Sequence, residues 1–333
     1  MILIDALYIN NGGGKVLLNY LIKCLEETDL MVFYLLDLRT EGTIPYVKKT
    51  NKVQYLKASI ENRKKFYQSN NKFSSVLCFG NLPPFSKINA NVYTYFHQPL
   101  FLKIPQSFSL KSKISYFLKQ NIIRMFKKNT DYWIVQSPFI KEELSKKYII
   151  KPEEILELPF YIPLSPKNKT KISNSYVYVS NANTHKNHQN LIEGFCIFYD
   201  KYKRGSLTLT VDESFNEIFN LIEHKKKMGY PIHNIGFVNH EQMSEVFSKA
   251  EFHIFPSLAE SFGLGLVEAI NCGCKVIGAD LPYTYAVCKP SIVFNPLEVD
   301  SIVSALCLSL QDNIPPSQAI VKNQIQNIIE ILK

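Results

Sequence analysis

Residues 256–277 read PSLAESFGLGLVEAINCGCKVI. The preceding EFHIF is apolar and aromatic, which predicts a strand that ends at Pro256. LGLVEAIN has the spacing of a short helix, Gly273 breaks it, and CKVIGAD restarts a β-branched strand. Glu260 and Glu268 stand on either side of the turn with seven residues between them. If the helix begins near Gly263–Gly265, its free N–H groups and dipole favour an anion at that end. Glu260 then lies just before the helix, and Glu268 about one turn inside it, ~6 Å along the axis. Ionised carboxylates only accept hydrogen bonds, and sugar hydroxyls donate them. A ligand carrying hydroxyls, phosphate and further hydroxyls fits this order, as a nucleotide sugar does. The bare spacing is met equally by a helix-start acid followed by a surface glutamate.

The same alternation runs through the chain. MILIDALYI predicts a strand and Asn10–Gly14 a turn. GKVLLNYLIKCLEE predicts a helix with Val16, Leu17, Tyr20, Leu21 and Cys24 on one face. LMVFYLLDL, KVQYLKA, SVLCFGN, NVYTYFHQP and DYWIVQS are further strands, and PFIKEELSKKY is a helix opened by Ser137 and Pro138. Along Leu110–Lys128, a helical period places Leu110, Ile114, Phe117, Leu118, Ile122 and Met125 on one face, expected to be the core face. The proline- and lysine-rich stretch before Ser175 reads as a linker, after which strands and helices resume. Strands alternating with helices predict parallel sheets covered on both faces. The expected division is residues 1–160, a linker 161–175, a second domain 176–316, and a C-terminal helix over 317–333 that packs back on the first domain. Two doubly wound α/β domains are expected to face each other across a cleft, with ligands outside the carboxyl ends of the strands.

Composition bounds the function. The chain has 333 residues, is 46% apolar and 20% charged, and has a net charge of +9. No run of about 18 apolar residues predicts a spanning helix, and MILIDALYINNGGG lacks the basic start of a signal peptide. The seven cysteines are odd in number and contain no C-x-x-C pair, which fits scattered thiols in a reducing cytosol. The positive charge is concentrated. Residues 1–165 hold 23 Lys and Arg against 13 Asp and Glu, and no acidic residue occurs between Glu61 and Asp131. Such a stretch implies an anionic partner. On Leu110–Lys128 the side facing away from the expected core carries Lys113, Lys119, Arg124 and Lys127 with Tyr116 and Ile123. This mixture suits an anionic membrane surface or simply a solvated helix. No nucleic-acid motif is present, and neither D-x-D nor a His/Cys ligand cluster points to a metal.

The segment Pro256–Ile277 resembles the E-x7-E motif of the family 4 retaining glycosyltransferases of the GT-B group. VYVSNANTHKNHQNLIEGF, QSPFIKEEL and ADLPYTYAVC resemble neighbouring stretches of that family, so the resemblance covers nearly the whole chain. It implies an N-terminal acceptor-binding domain and a C-terminal nucleotide-sugar-binding domain, both Rossmann-like. Glu260 resembles the glutamate at the donor sugar, and Glu268 the one on the ribose hydroxyls. Ser261, Phe262, Gly263 and Leu264 would offer backbone N–H groups to sugar and phosphate, and Lys186 would hold the diphosphate. His97 matches a histidine of the N-terminal domain, and Gly12, Gly13 and Gly14 match its glycine loop. Phe237 and Val238 stand where backbone groups meet the base. Asn181 replaces an arginine common in the family, and His185 could substitute in part.

The resemblance implies transfer of a sugar with retention, through an oxocarbenium-like centre. The acceptor would be a saccharide, lipid-linked by expectation, in cell-surface polysaccharide or O-antigen synthesis. Lys186 would stabilise the leaving diphosphate, whose oxygen would take the acceptor proton. Glu260 would position the sugar rather than attack it. No cofactor or metal is expected. The expected location is cytoplasmic, peripheral on the inner face of the plasma membrane, with no nucleic-acid partner. The alternative is a non-catalytic, nucleotide-sugar-binding or scaffolding member of the same fold.

Overall fold

The computed structural model describes residues 1–333 except Asn71, 105–109 and Ser261, and of Ser112 only the backbone. The chain forms two compact units. One is Met1–Ile162 together with Lys322–Lys333, the other Pro163–Val321.

The first unit is built on a seven-stranded parallel sheet. Its strands are β1 Ile2–Ala6, β2 Val32–Asp37, β3 Lys52–Leu56, β4 Ser75–Cys78, β5 Asn91–Tyr95, β6 Tyr132–Val135 and β7 Ile155–Glu157. Their order is β3-β2-β1-β4-β5-β6-β7. β1 (ILIDA) and β2 (VFYLLD) are buried at every position, as expected of central parallel strands covered on both faces. The covering helices are α1 Gly12–Glu26, α2 Ile60–Ser69, α3 Leu110–Phe126 and α4 Pro138–Tyr148. At α4 the start signal acts as anticipated: Ser137 Oγ accepts from Ile140 N and Pro138 occupies the first turn. One buried charge pair lies inside this unit. Arg63 Nε donates to Asp5 Oδ2 at 2.7 Å, and the guanidinium also donates to the carbonyls of Leu82 and Pro83. It thereby anchors the loop that follows β4.

The second unit repeats the plan. Its sheet is β10-β9-β8-β11-β12-β14, all parallel. The strands are β8 Ile172–Tyr178, β9 Ser206–Leu209, β10 Ile232–Asn234, β11 Ala250–Phe255, β12 Lys275–Ala279 and β14 Ile292–Phe294. A separate antiparallel pair joins β13 Cys288–Lys289 to β15 Gln318–Ala319. The helices are α5 His188–Tyr202, α6 Asn216–Lys227, α7 His240–Lys249, α8 Leu264–Asn271, α9 Pro282–Val287 and α10 Val299–Leu308.

Three expectations are corrected. β8 begins at Ile172, inside the stretch read as linker, because the polar residues there form the exposed entry to a strand whose apolar half starts only at Tyr176. The C-terminal helix is shorter than the range 317–333. Gln318–Ala319 pairs as β15, and the helix, α11, covers Ile325–Ile331. α11 does pack on the first unit: Ile325, Ile328, Ile329 and Leu332 join the core cluster of Leu17, Leu21 and Tyr34. The third correction concerns α3. Of the residues expected to face the core, Leu110, Ile114, Phe117, Leu118 and Met125 are each more than half exposed and Ile122 is half-buried, whereas Ile123 is fully buried and Gln120 nearly so. Tyr116 packs with Ile123 against Phe101 and Trp133. The helix has two apolar sides, and the aromatic one wins the core.

Truncating Ile328 to alanine should leave a cavity in the first unit. Chemical denaturation should show a loss of about 2–4 kcal/mol, with a substitution of the exposed Lys333 as an unchanged control.

Candidate functional site

In each sheet the strand order reverses direction at one point, and strand-end loops diverge there to leave a crevice. In the second unit that point lies between β8 and β11. The loop leaving β8 holds a short turn, Thr184–Lys186, and the loop leaving β11 holds Pro256–Glu260. The two loops are joined by backbone, with Leu258 N donating to His185 O at 2.7 Å. Lys186 Nζ donates to Glu260 Oε1 at 2.5 Å, and the two side chains retain only 17% and 13% of their exposure. Tyr178 Oη donates to Lys186 O, and Tyr283 Oη to Ser257 O, fixing both loops from below. The cation and carboxylate expected to handle phosphate and sugar are therefore direct partners at the switch point.

Gly263 takes φ 73° and caps α8 in the left-handed region. That conformation ends the loop and starts the helix at Leu264, where glycine is favoured. Phe262 is buried, and Ser261 lies outside the described residues. Glu268 is only 5% exposed, and burial pushes its carboxyl up to about 8. The raised value favours the protonated carboxyl at neutral pH, which offers an O–H donor as well as an acceptor.

Burial, then Lys186, hold the His185 imidazole below its ordinary range, which disfavours the cationic form beside Lys186. Asn181 is exposed and accepts from Asn183 Nδ2 at 3.0 Å. Phe237 is 78% exposed and Val238 half-buried, in the loop after β10. Next to that loop a cavity of about 540 Å³ opens at the carboxyl ends of β9 and β10, lined by Val211, Asp212, Phe219, Asn234, Ile235 and Gly236 among others. Asp212 stands in the loop after β9, and its place after a predicted strand is the signal that the sequence offers for it.

In the first unit the reversal lies between β1 and β4. Gly12, Gly13 and Gly14 form the first turn of α1, with Asn11 as an N-cap that gives no side-chain bond. A methyl group added at Gly14 would lie 3.2 Å from His97 Nε2, so the ring packs directly on this turn. His97 follows β5. Its backbone N–H and that of Gln98 donate to Asn81 Oδ1 at 2.7 and 3.0 Å. The same amide presents Nδ2 to His97 Nε2 at 3.4 Å, which leaves the ring proton on Nδ1. That Nδ1 is buried without a partner among the described residues, and burial pulls the imidazole down to about 4. Asn81, left-handed at φ 66°, was not singled out from sequence. Lys113, Lys119, Arg124 and Lys127 lie apart on α3 and the turn after it. Lys127 Nζ donates to Tyr148 O and Ile149 O at the end of α4, so it serves the fold rather than a surface.

Residues 165–326 match the family model for glycosyl transferases group 1. That segment, just under half of the chain, is similar to the domain of that family. The O-antigen chain mannosyltransferase B of Escherichia coli is 26% identical over 165 residues, covering 46% of this chain and 43% of the relative. The O-antigen chain mannosyltransferase RfbU of Salmonella typhimurium is 24% identical over 206 residues, covering 61% and 56%. The chain thus spans about half the length of these relatives. Among solved structures, sucrose-phosphate synthase from Thermosynechococcus elongatus has a TM-score of 0.73 at 18% identity, covering 93% of this chain and 89% of its own. This likeness establishes the GT-B fold of two Rossmann-like units.

Glu268 makes stability depend on pH in a defined direction. Between the ordinary carboxyl value of 4.5 and about 8 the folded state keeps a proton that the unfolded state releases. The stabilisation is full below that window and is lost as pH rises through about 8. Relative to Glu268→Gln, the wild type should lose on the order of a few kcal/mol between pH 5 and 8.5, measured by denaturant unfolding.

Proposed function

We propose that this chain transfers a sugar, with retention, from a nucleotide-sugar donor to a saccharide acceptor in cell-surface polysaccharide assembly. The observation that carries the reading is the Lys186–Glu260 pair at the switch point, followed by a helix that holds the buried carboxyl of Glu268 about one turn inside its start. A donor diphosphate competes with Glu260 for the ammonium of Lys186. Once the two separate, Lys186 holds the charge that grows on the leaving diphosphate, and Glu260 is free to accept from sugar hydroxyls. Glu268, protonated or ionised, meets the ribose diol. The N–H groups opening α8 add positive potential, so the charge is handled by the chain itself and the reading assigns no metal. Glu260 is engaged as a positioning carboxylate rather than a nucleophile, and the leaving diphosphate takes the acceptor proton. Phe237, Val238 and the neighbouring cavity would receive the base. His97, neutral and packed on Gly14, would face the acceptor or the donor sugar as a hydrogen-bonding group. The names of the two mannosyltransferase relatives support an O-antigen-like saccharide acceptor.

The acceptor is proposed to be lipid-linked and met at an anionic membrane surface. No helix among the described residues is long and apolar enough to cross a membrane, so contact would be peripheral. The support is α3, whose solvent side carries the stripe of Leu110, Ile114, Phe117, Leu118 and Met125. At 100° per residue, Lys113 and Arg124 border one edge and Lys111 the other, while Lys119 lies opposite. An apolar stripe between basic edges is the arrangement that enters a headgroup region. The basic residues thus flank the contact instead of forming it.

Two measurements test these readings. Thermal unfolding with UDP, GDP, dTDP or CMP, and with their sugar conjugates, should show one nucleotide series raising the midpoint. At ~100 times the dissociation constant the gain is ~2.7 kcal/mol, and Glu268→Ala should abolish it. No shift with any nucleotide would contradict a donor site. Separately, the protein should co-sediment with phosphatidylglycerol vesicles at low salt. Phe117→Asp should abolish this without lowering the midpoint, because the side chain is exposed. Equal binding by the variant would remove the stripe from the contact.

A further inference from the structure

We infer that Asn187 is a positioning residue for Lys186, its side-chain amide tying together three strand-end loops. Asn187 follows Lys186 directly and takes φ 59°, ψ 36°, in the left-handed region. Asparagine enters that region more readily than other side-chain-bearing residues, so the backbone alone could be satisfied by glycine. The side chain does something glycine could not. Nδ2 donates to Pro296 O at 2.7 Å, in the loop after β14, and to Pro256 O at 3.2 Å, in the loop after β11. Both partners are carbonyl oxygens, which only accept, so the amide nitrogen must face them. Both also belong to prolines, whose fixed φ stiffens the chain where it is gripped. Asn190 Nδ2 reaches the same Pro296 oxygen at 3.2 Å.

The consequence is mechanical. The ammonium of Lys186 begins on Glu260 and must move to an incoming diphosphate. Its loop must keep its place while the ion pair opens, or the cation follows the carboxylate. The backbone bond from Leu258 N to His185 O resists this on one side of Lys186. The Asn187 amide resists it on the other, and reaches across the sheet to the β14 loop. Conformation and tether are separable: Asn187→Gly keeps the left-handed turn and removes both donors. Asn187→Asp keeps the shape but turns an acceptor toward two acceptors.

The inference rests on the proposed role of Lys186 at the donor diphosphate, and the test separates the two. Calorimetry on the full chain would compare UDP, GDP and dTDP with UMP, GMP and dTMP. The proteins are wild type, Lys186→Ala, Asn187→Gly, Asn187→Asp and the double variant Lys186→Ala/Asn187→Gly. Loss of the tether should weaken the diphosphate by about 10-fold or more and the matching monophosphate by less than about 3-fold. In the Lys186→Ala background, Asn187→Gly should add nothing. A general loss of structure would instead weaken both ligands and add to Lys186→Ala, which overturns the inference. Wild-type affinity in Asn187→Gly beside a weakened Lys186→Ala overturns it alone. Wild-type affinity in Lys186→Ala, or no diphosphate binding by the wild type, overturns the donor reading and the inference with it.

Discussion

In a parallel sheet every strand delivers its chain to the same edge, and where the strand order reverses, two neighbouring loops part instead of packing side by side. Both units obey this constraint, and the chemistry follows from it. In the second unit the diverging loops carry Lys186 and Glu260, which meet as a shielded ion pair. In the first unit the loops around β1 and β4 bring Gly14 and Asn81 against His97. Charge and imidazole are placed by strand order, and local hydrogen bonds then fix their direction.

A shared device recurs at both edges. Asn81 and Asn187 each take the left-handed conformation and turn a side-chain amide across to a neighbouring loop. Asn81 accepts two backbone N–H groups beside His97, and Asn187 donates to two carbonyls beside Lys186. Loops after parallel strands leave backbone groups without ladder partners, and buried groups of this kind must be paired. A single amide at a tight turn supplies the pairing and holds the functional side chain next to it.

Much of this was legible in the sequence because it rests on local signals. Apolar runs separated by helical periods gave the parallel sheets, Ser137–Pro138 marked the start of α4, and Glu260, Glu268 and Lys186 followed from motif and chemistry. What escaped depended on tertiary choice. α3 has two apolar sides, and only packing against Phe101 and Trp133 decides that Tyr116 and Ile123 face inward. The state of Glu268 depends on how deeply α8 is buried. Asn81 and Asn187 look like ordinary loop residues until their cross-loop partners are known. Lys127 reads as surface charge, yet it caps the end of α4.

The central claim is that the Lys186–Glu260 pair opens to receive a diphosphate. The most direct measurement is a crystal structure with the nucleoside diphosphate that most raises the unfolding midpoint. The account predicts Lys186 Nζ on the diphosphate, its contact with Glu260 broken, and the Glu268 carboxyl on the ribose hydroxyls. A nucleotide bound elsewhere, with the 2.5 Å contact between Lys186 and Glu260 intact, would contradict it.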